Sequence, residues 1–171
     1  MLIDLARNSQ LTSSVGSELV TKLLTFATIR YQATFLYRLS ARAGRISGLL
    51  GLTVKQLNQL ITGADIAWQA RIDSGLVLFH PSGVVIGPDV VIGRDCDIQQ
   101  GVTLGSSGRY GHGSADSPTI GNGVKVGAGA RVIGAIVIGD SVTVGANSVV
   151  LRDVPSNSVV VGVPARIVGK P

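Results

Sequence analysis

Two of the 171 residues are histidines, and the stretch holding the first, LFHPSGVVIG (residues 78–87), offers the clearest chemistry in the chain. An imidazole titrates near neutral pH, so it can take a proton from a hydroxyl and pass it on. His80 is therefore a candidate general base; the competing reading is a polar residue on a turn, and residue types alone leave both open. His112 lies between glycines in GSSGRYGHGSADSPT (105–119), a setting that suits a solvent-exposed residue. Cys96 is the single cysteine and stands at a small, inward-facing position of the pattern described next, which suits a buried, inert thiol. Two histidines and one cysteine at these spacings make no ligand set, so no metal is expected. The lone cysteine also excludes an internal disulfide and fits a reducing compartment.

A repeat must position these groups. From Ile66 onward Ile, Val or Leu returns every sixth residue: Ile66, Ile72, Leu78, then Ile86, Ile92, Ile98, Leu104, then Ile120, Val126, Val132, Ile138, Val144, Val150. Two places earlier stands a small or β-branched residue, such as Ala64, Val90, Cys96 or Ala130, and one place later often a glycine. A period of six matches neither a helix nor a simple strand. It describes a coil with three short strands per turn, each aliphatic pointing inward and glycine relaxing the backbone at the corner. The spacing predicts a mainly β fold, a parallel β-helix over 63–171, preceded by an α-helical region over 1–62. The phase breaks twice: eight residues separate Leu78 from Ile86, at His80 itself, and sixteen separate Leu104 from Ile120. The second break predicts a loop over 105–119 extruded from the coil, and loops on a rigid scaffold are where function tends to sit.

Stacked small aliphatics account for a composition that is 45% hydrophobic but only 4% aromatic. The formal charge of +5 lies wholly in residues 1–62, where seven basic residues face only Asp4 and Glu18. Residues 17–43 carry apolar side chains at helical spacing, with Ser17 and Glu18 as a start, and 51–63 reads as a second helix with Gly63 as its C-cap. Lys22 and Arg30 interrupt the first too closely for a membrane span. Two readings stay open: a packing helix that caps the coil or mediates assembly, and a basic amphipathic face making peripheral contact with an anionic membrane. The basic residues form no nucleic-acid motif, which argues against that partner. The opening MLIDLARNSQ has no apolar run, so no signal peptide is expected and the expected location is cytoplasmic, the inner face of the membrane included.

The stretches HPSGVVIG, IQQGVTLG, PTIGNGVKVGAGARVIGAIVIGDSVTVGANSVVLRDVP and GVPARIVGKP resemble the hexapeptide-repeat acyltransferases, and within them the serine acetyltransferase family, over roughly residues 63–171. The resemblance implies a left-handed β-helix and O-acetyl transfer from acetyl-CoA as co-substrate. It implies His80 as the general base and Asp65, fifteen positions earlier, as the carboxylate that orients its imidazole. An offset of fifteen is close to one coil, which would put the two on adjacent turns. Backbone N–H groups of Gly105 and Ser106 would meet the oxyanion or thioester. Gly127, Ala128, Gly129 and Ala146 would flank the pantetheine arm, with Arg166 and Lys170 at the CoA phosphates. The implied assembly is a homotrimer, with a dimer of trimers beyond it, because the CoA groove of this family lies between subunits.

Two departures bear on the acceptor. Where that family has an aspartate before the base, this chain has Phe79; where it has an arginine–histidine pair before the proline that restarts the coil, this chain has Asp116 and Ser117. Both changes remove groups that hold a zwitterionic amino acid, and the loop with His112 alters the same wall of the pocket. The expected acceptor is therefore a sugar or polysaccharide-precursor hydroxyl, as in the polysaccharide-biosynthesis branch of serine-acetyltransferase-like proteins. L-Serine, in the first step of cysteine biosynthesis, is the alternative. A non-catalytic solenoid scaffold is the third reading, and it gives no reason for His80 and Asp65 to keep the family's spacing.

Overall fold

The computed structural model describes residues 1–10, 21, 24–25, 27–108 and 116–170. Helices α1 (Leu2–Gln10), α2 (Ile29–Ile46) and α3 (Gly48–Thr62) precede a run of short strands, and every third strand returns to the same sheet. The first face holds β1 (Asp65–Ile66), β4 (Val85–Ile86), β7 (Thr103–Gly105), β10 (Arg131–Ile133) and β13 (Val149–Val150). The second holds β2 (Arg71–Ile72), β5 (Val91–Ile92), β8 (Thr119–Ile120) and β11 (Val137–Ile138). The third holds β3 (Val77–Leu78), β6 (Asp97–Ile98), β9 (Lys125–Val126), β12 (Thr143–Val144), β14 (Val159–Gly162) and β15 (Ala165–Gly169). The pairs are parallel except β14 with β15, a hairpin at the C-terminal end. This is the three-faced parallel coil that a six-residue period describes.

Register turns the periodicity into a core. Ile86, Leu104 and Val132 stack in line on the first face, and Ile98, Val126 and Val144 on the third, all at most 2% exposed. Each such burial contributes about 1.5–3 kcal/mol, so columns of small aliphatics suffice without aromatic side chains. Tyr37 is an exception: it enters the core from α2 and donates its hydroxyl to the Ala70 carbonyl at 2.6 Å.

The glycines divide into two roles, which corrects the expectation that those following each aliphatic relax the corner. Left-handed backbone occurs instead three residues before the aliphatic, as at Gly101 and Gly129, both at φ 67°. The glycines after the aliphatics lack positive φ and serve close approach between coils: a Cβ on Gly121 would lie 2.5 Å from Asp140 Oδ1.

The helical region departs from expectation in three places. Residues 17–43 do not make one continuous helix, because Thr28 is extended and caps α2, its hydroxyl accepting from the Tyr31 N–H at 3.4 Å. The expected start at Ser17–Glu18 lies outside the described residues. Helix α3 begins at Gly48, three residues earlier than expected, and ends with Gly63 in the left-handed region at φ 75°. Helix α1 has no counterpart in the periodicity, since it buries Asp4 and Asn8 and leaves Leu2 and Ile3 exposed.

Ionic contacts hold α1 in place. Asp4, 1% exposed, accepts from Arg38 Nε and Nη2 at 3.1 Å and from the Gly75 N–H at 2.8 Å, while Arg38 also donates to the Ile72 and Asp73 carbonyls. Arg7 pairs with Asp97 at 2.8 Å and donates to the carbonyls of Gly75 and Cys96. Two of the seven basic residues of 1–62, Arg7 and Arg38, are thus committed to contacts with α1 and the coil. No described helix is long and apolar enough to cross a membrane.

Candidate active site

His80 owes its position to the first phase break. Corners from the third face to the first ordinarily take four residues, as at 99–102, 127–130 and 145–148; the corner after β3 takes six, 79–84. Pro81 is buried and its carbonyl accepts from the Val84 N–H at 3.1 Å, while Gly83 N donates to Gly63 O and Gly101 N to Ser82 O, both at 3.0 Å. The corner is therefore locked into the stack above and below, and the extra length leaves His80 exposed at its tip. A base on a fixed corner needs no rearrangement to meet a hydroxyl arriving from solvent.

The same edge carries the residues expected along a pantetheine arm. Gly127–Gly129 and Ala146 occupy the corresponding corners further along the axis. They are joined by Ala128 N to Gln99 Oε1 at 3.0 Å, Gly129 N to Gln100 O at 2.8 Å and Asn147 N to Ala128 O at 2.8 Å. A Cβ on Gly127 would stand 2.7 Å from Ala146 N, so the two corners touch and leave no room for a side chain at Gly127. Arg166 shares a hollow of about 370 Å³ with Arg152 and Pro164, and Lys170 is exposed.

Other expected site residues lie elsewhere. Gly105 ends β7 at the opposite edge of the first face, and a Cβ there would meet no atom within 4 Å, so open space adjoins it and the exposed Ser106. Asp116, 3% exposed, ties together the described ends of the 105–119 stretch: it accepts from Ser107 N at 3.0 Å and Ser107 Oγ at 2.8 Å. Ser117 is half-buried beside it. His112 and the rest of 109–115 lie outside the described residues.

Asp65 sits on the first face, directly below Val85, twenty residues on rather than eighteen because of the lengthened corner. Fifteen residues therefore lead to the corner before that stacked position. The Asp65 carboxylate pairs with Lys55 of α3 at 2.5 Å; among the described residues no hydrogen bond or ion pair joins it to His80. It faces a hollow of about 360 Å³ shared with Lys55, Trp68 and Val85. Phe79 is half-buried, with the Arg30 guanidinium 5.9 Å from its ring centroid. Periodicity carries no signal for Lys55, Arg30 or Arg152, because their relevance is a matter of which distant segment each faces. Cys96 is fully buried, its thiol donates to the Gly121 carbonyl at 3.2 Å, and burial pushes its pKa up to about 11.

Comparison with known proteins points to one family. The family described as bacterial transferase hexapeptide (six repeats) matches residues 117–152. Serine acetyltransferase from Helicobacter pylori is 48% identical over 117 residues, covering 68% of this chain and 67% of that protein. The Synechococcus elongatus serine acetyltransferase is 48% identical over 115 residues, covering 67% of this chain and 46% of that protein, so the chain spans about half the length of that relative. The crystal structure of Neisseria gonorrhoeae serine acetyltransferase aligns with a TM-score of 0.88 and 34% identity over 99% of this chain and 64% of that one. That alignment takes in α1–α3 as well as the coil.

Proposed function

We propose, on the premise that this chain belongs to the serine acetyltransferase family of hexapeptide-repeat transferases, that it transfers the acetyl group of acetyl-CoA to the hydroxyl of L-serine. His80 takes the hydroxyl proton as the oxygen attacks the thioester carbon; the C–O bond forms, the C–S bond breaks, and the imidazolium returns the proton to the departing thiolate. The observation that carries this reading is the exposed His80 on the lengthened corner, at the head of the edge formed by Gly127–Gly129 and Ala146. The small residues along that edge let an extended pantetheine lie against it, with Arg166 and Arg152, which share a hollow, and the exposed Lys170 at the phosphate end. The N–H groups of Gly105 and Ser106 receive the charge developing on the thioester oxygen.

His80 and Gly105–Ser106 bracket the first face from opposite edges. A trimer in which one copy's His80 edge meets a neighbour's loop edge brings the two together, so the homotrimer is part of the proposal. Asp65 acts as orienter only after turning from Lys55 toward His80. The names of the relatives support serine over the sugar hydroxyl that Phe79 and Asp116–Ser117 favour on sequence grounds.

Thiol release from acetyl-CoA, measured with L-serine and with a panel of monosaccharides and nucleotide sugars, tests both parts. Serine is expected to give the highest kcat/KM, and His80→Ala to lower kcat by about 10²–10⁴-fold. Wild-type turnover by His80→Ala removes the base from the mechanism; a sugar surpassing serine in kcat/KM moves the acceptor to the second reading.

A further inference from the structure

A cavity of about 660 Å³ lies away from His80, where α1 and α2 meet the first coil. Arg42 and Arg45 of α2, Arg71 of β2 and Trp68 line it, along with the Asp4–Arg38 pair. Its size falls within the range of about 300–1,000 Å³ typical of small-molecule sites. Asp4 is already spent on Arg38. By contrast, among the described residues Arg42, Arg45 and Arg71 have no carboxylate at ion-pair distance, although Asp73 also lines the cavity. Arg42 touches the Met1 sulfur instead.

The three cations are placed together by structure rather than by chance exposure. Arg42 and Arg45 are three residues apart and so share one face of α2, while Arg71 reaches in from the coil. Arg45 is felt at the Tyr37 hydroxyl: burial raises the pKa of that phenol, and the Arg38 and Arg45 charges work against the rise. The Trp68 ring is fixed as a wall, because a Cβ on Gly44 would lie 2.2 Å from its Cε3. Guanidiniums gathered without an anion repel one another, and planar forks are suited to phosphate oxygens taken two at a time.

We propose that this cavity binds a small molecule carrying two or more phosphate groups, held by Arg42, Arg45 and Arg71. The basic excess of the N-terminal region, after Arg7 and Arg38 are committed to the coil, thereby acts on a discrete ligand in a concavity. Trp68 is the only tryptophan in the chain, so its fluorescence reports on this cavity and on the hollow beside Asp65 that it also lines.

The full chain is titrated with inorganic tripolyphosphate against sodium chloride at matched ionic strength, and separately with phosphatidylglycerol and phosphatidylcholine vesicles. A saturable change with tripolyphosphate and none with chloride is expected. Arg42→Gln with Arg45→Gln should raise the apparent Kd about tenfold or more at unchanged far-UV circular dichroism. Should that double variant misfold, Arg71→Gln alone is expected to weaken binding severalfold. No saturable response, an unchanged Kd in a folded variant, or a response confined to phosphatidylglycerol vesicles overturns the proposal; the last would make the membrane surface the ligand.

Discussion

Arg38→Met and Asp4→Asn cut the same ion pair from opposite sides, and the structure makes their consequences unequal. Without Arg38, Asp4 stays 1% exposed with the Gly75 N–H at 2.8 Å and the Met1 amino group at 3.2 Å as its remaining partners. Removing one member of a buried pair costs about 3–5 kcal/mol, and these surviving contacts place Arg38→Met near the lower end, about 3 kcal/mol. Without the Asp4 charge, Arg38 is still 15% exposed and still donates to the Ile72 and Asp73 carbonyls. Asp4→Asn should therefore cost about 1–2 kcal/mol. The double variant should fall short of the summed losses by about 1 kcal/mol, since neither charge is then stranded. Hydrogen-exchange mass spectrometry localises the loss: α1 peptides should lose protection while peptides over β4–β13 keep theirs.

The pH dependence of the same helix follows from Asp4. Burial alone would raise its pKa, but Arg38, the Gly75 N–H and the Met1 amino group outweigh that and hold it below the ordinary carboxylate value. A carboxyl lowered on folding stabilises the protein above its unfolded pKa of about 3.9, and the contribution disappears as pH falls through the lower folded value. Protection of α1 should stay level from neutral pH to about pH 4 and decline below it. Asp4→Asn costing as much as Arg38→Met, strict additivity, or α1 protection fading between about pH 7 and 5 would refute the reasoning.

Four further outcomes are expected. Gly121→Ala forces a methyl to 2.5 Å from Asp140 Oδ1 and should cost about 1–3 kcal/mol in urea unfolding. Gly105→Ala meets nothing within 4 Å and should leave stability within about 0.5 kcal/mol, while raising KM if the acyl group passes there. Cys96, with its pKa at about 11 and its side chain buried, should resist Ellman's reagent at pH 8 until the chain is unfolded; rapid labelling of native protein would contradict that burial. Asp116→Ala removes the acceptor that the Ser107 N–H and hydroxyl share, should cost about 0.5–1.5 kcal/mol per hydrogen bond lost, and should speed protease cleavage within 105–119. Unchanged cleavage would separate Asp116 from the loop neck.

What the residues by themselves determined was the coil. Most strands of the coil are two or three residues long and each turn repeats the same positions, so Ile86 and Leu104, and likewise Val132 and Val150, reach a common column from local spacing alone. The break at His80 was legible for the same reason, because two added residues shift the period of the turns on either side of it. The tertiary structure decided which groups meet. Asp4 on Arg38, Lys55 on Asp65, Arg30 over Phe79 and Asp116 on Ser107 join segments with no common period. It also reassigned the glycines, since their spacing alone cannot tell a left-handed corner from a close approach between coils. Apolar burial repeats with the backbone and so leaves a pattern along the chain; a polar contact depends on two side chains meeting once in space, and leaves none.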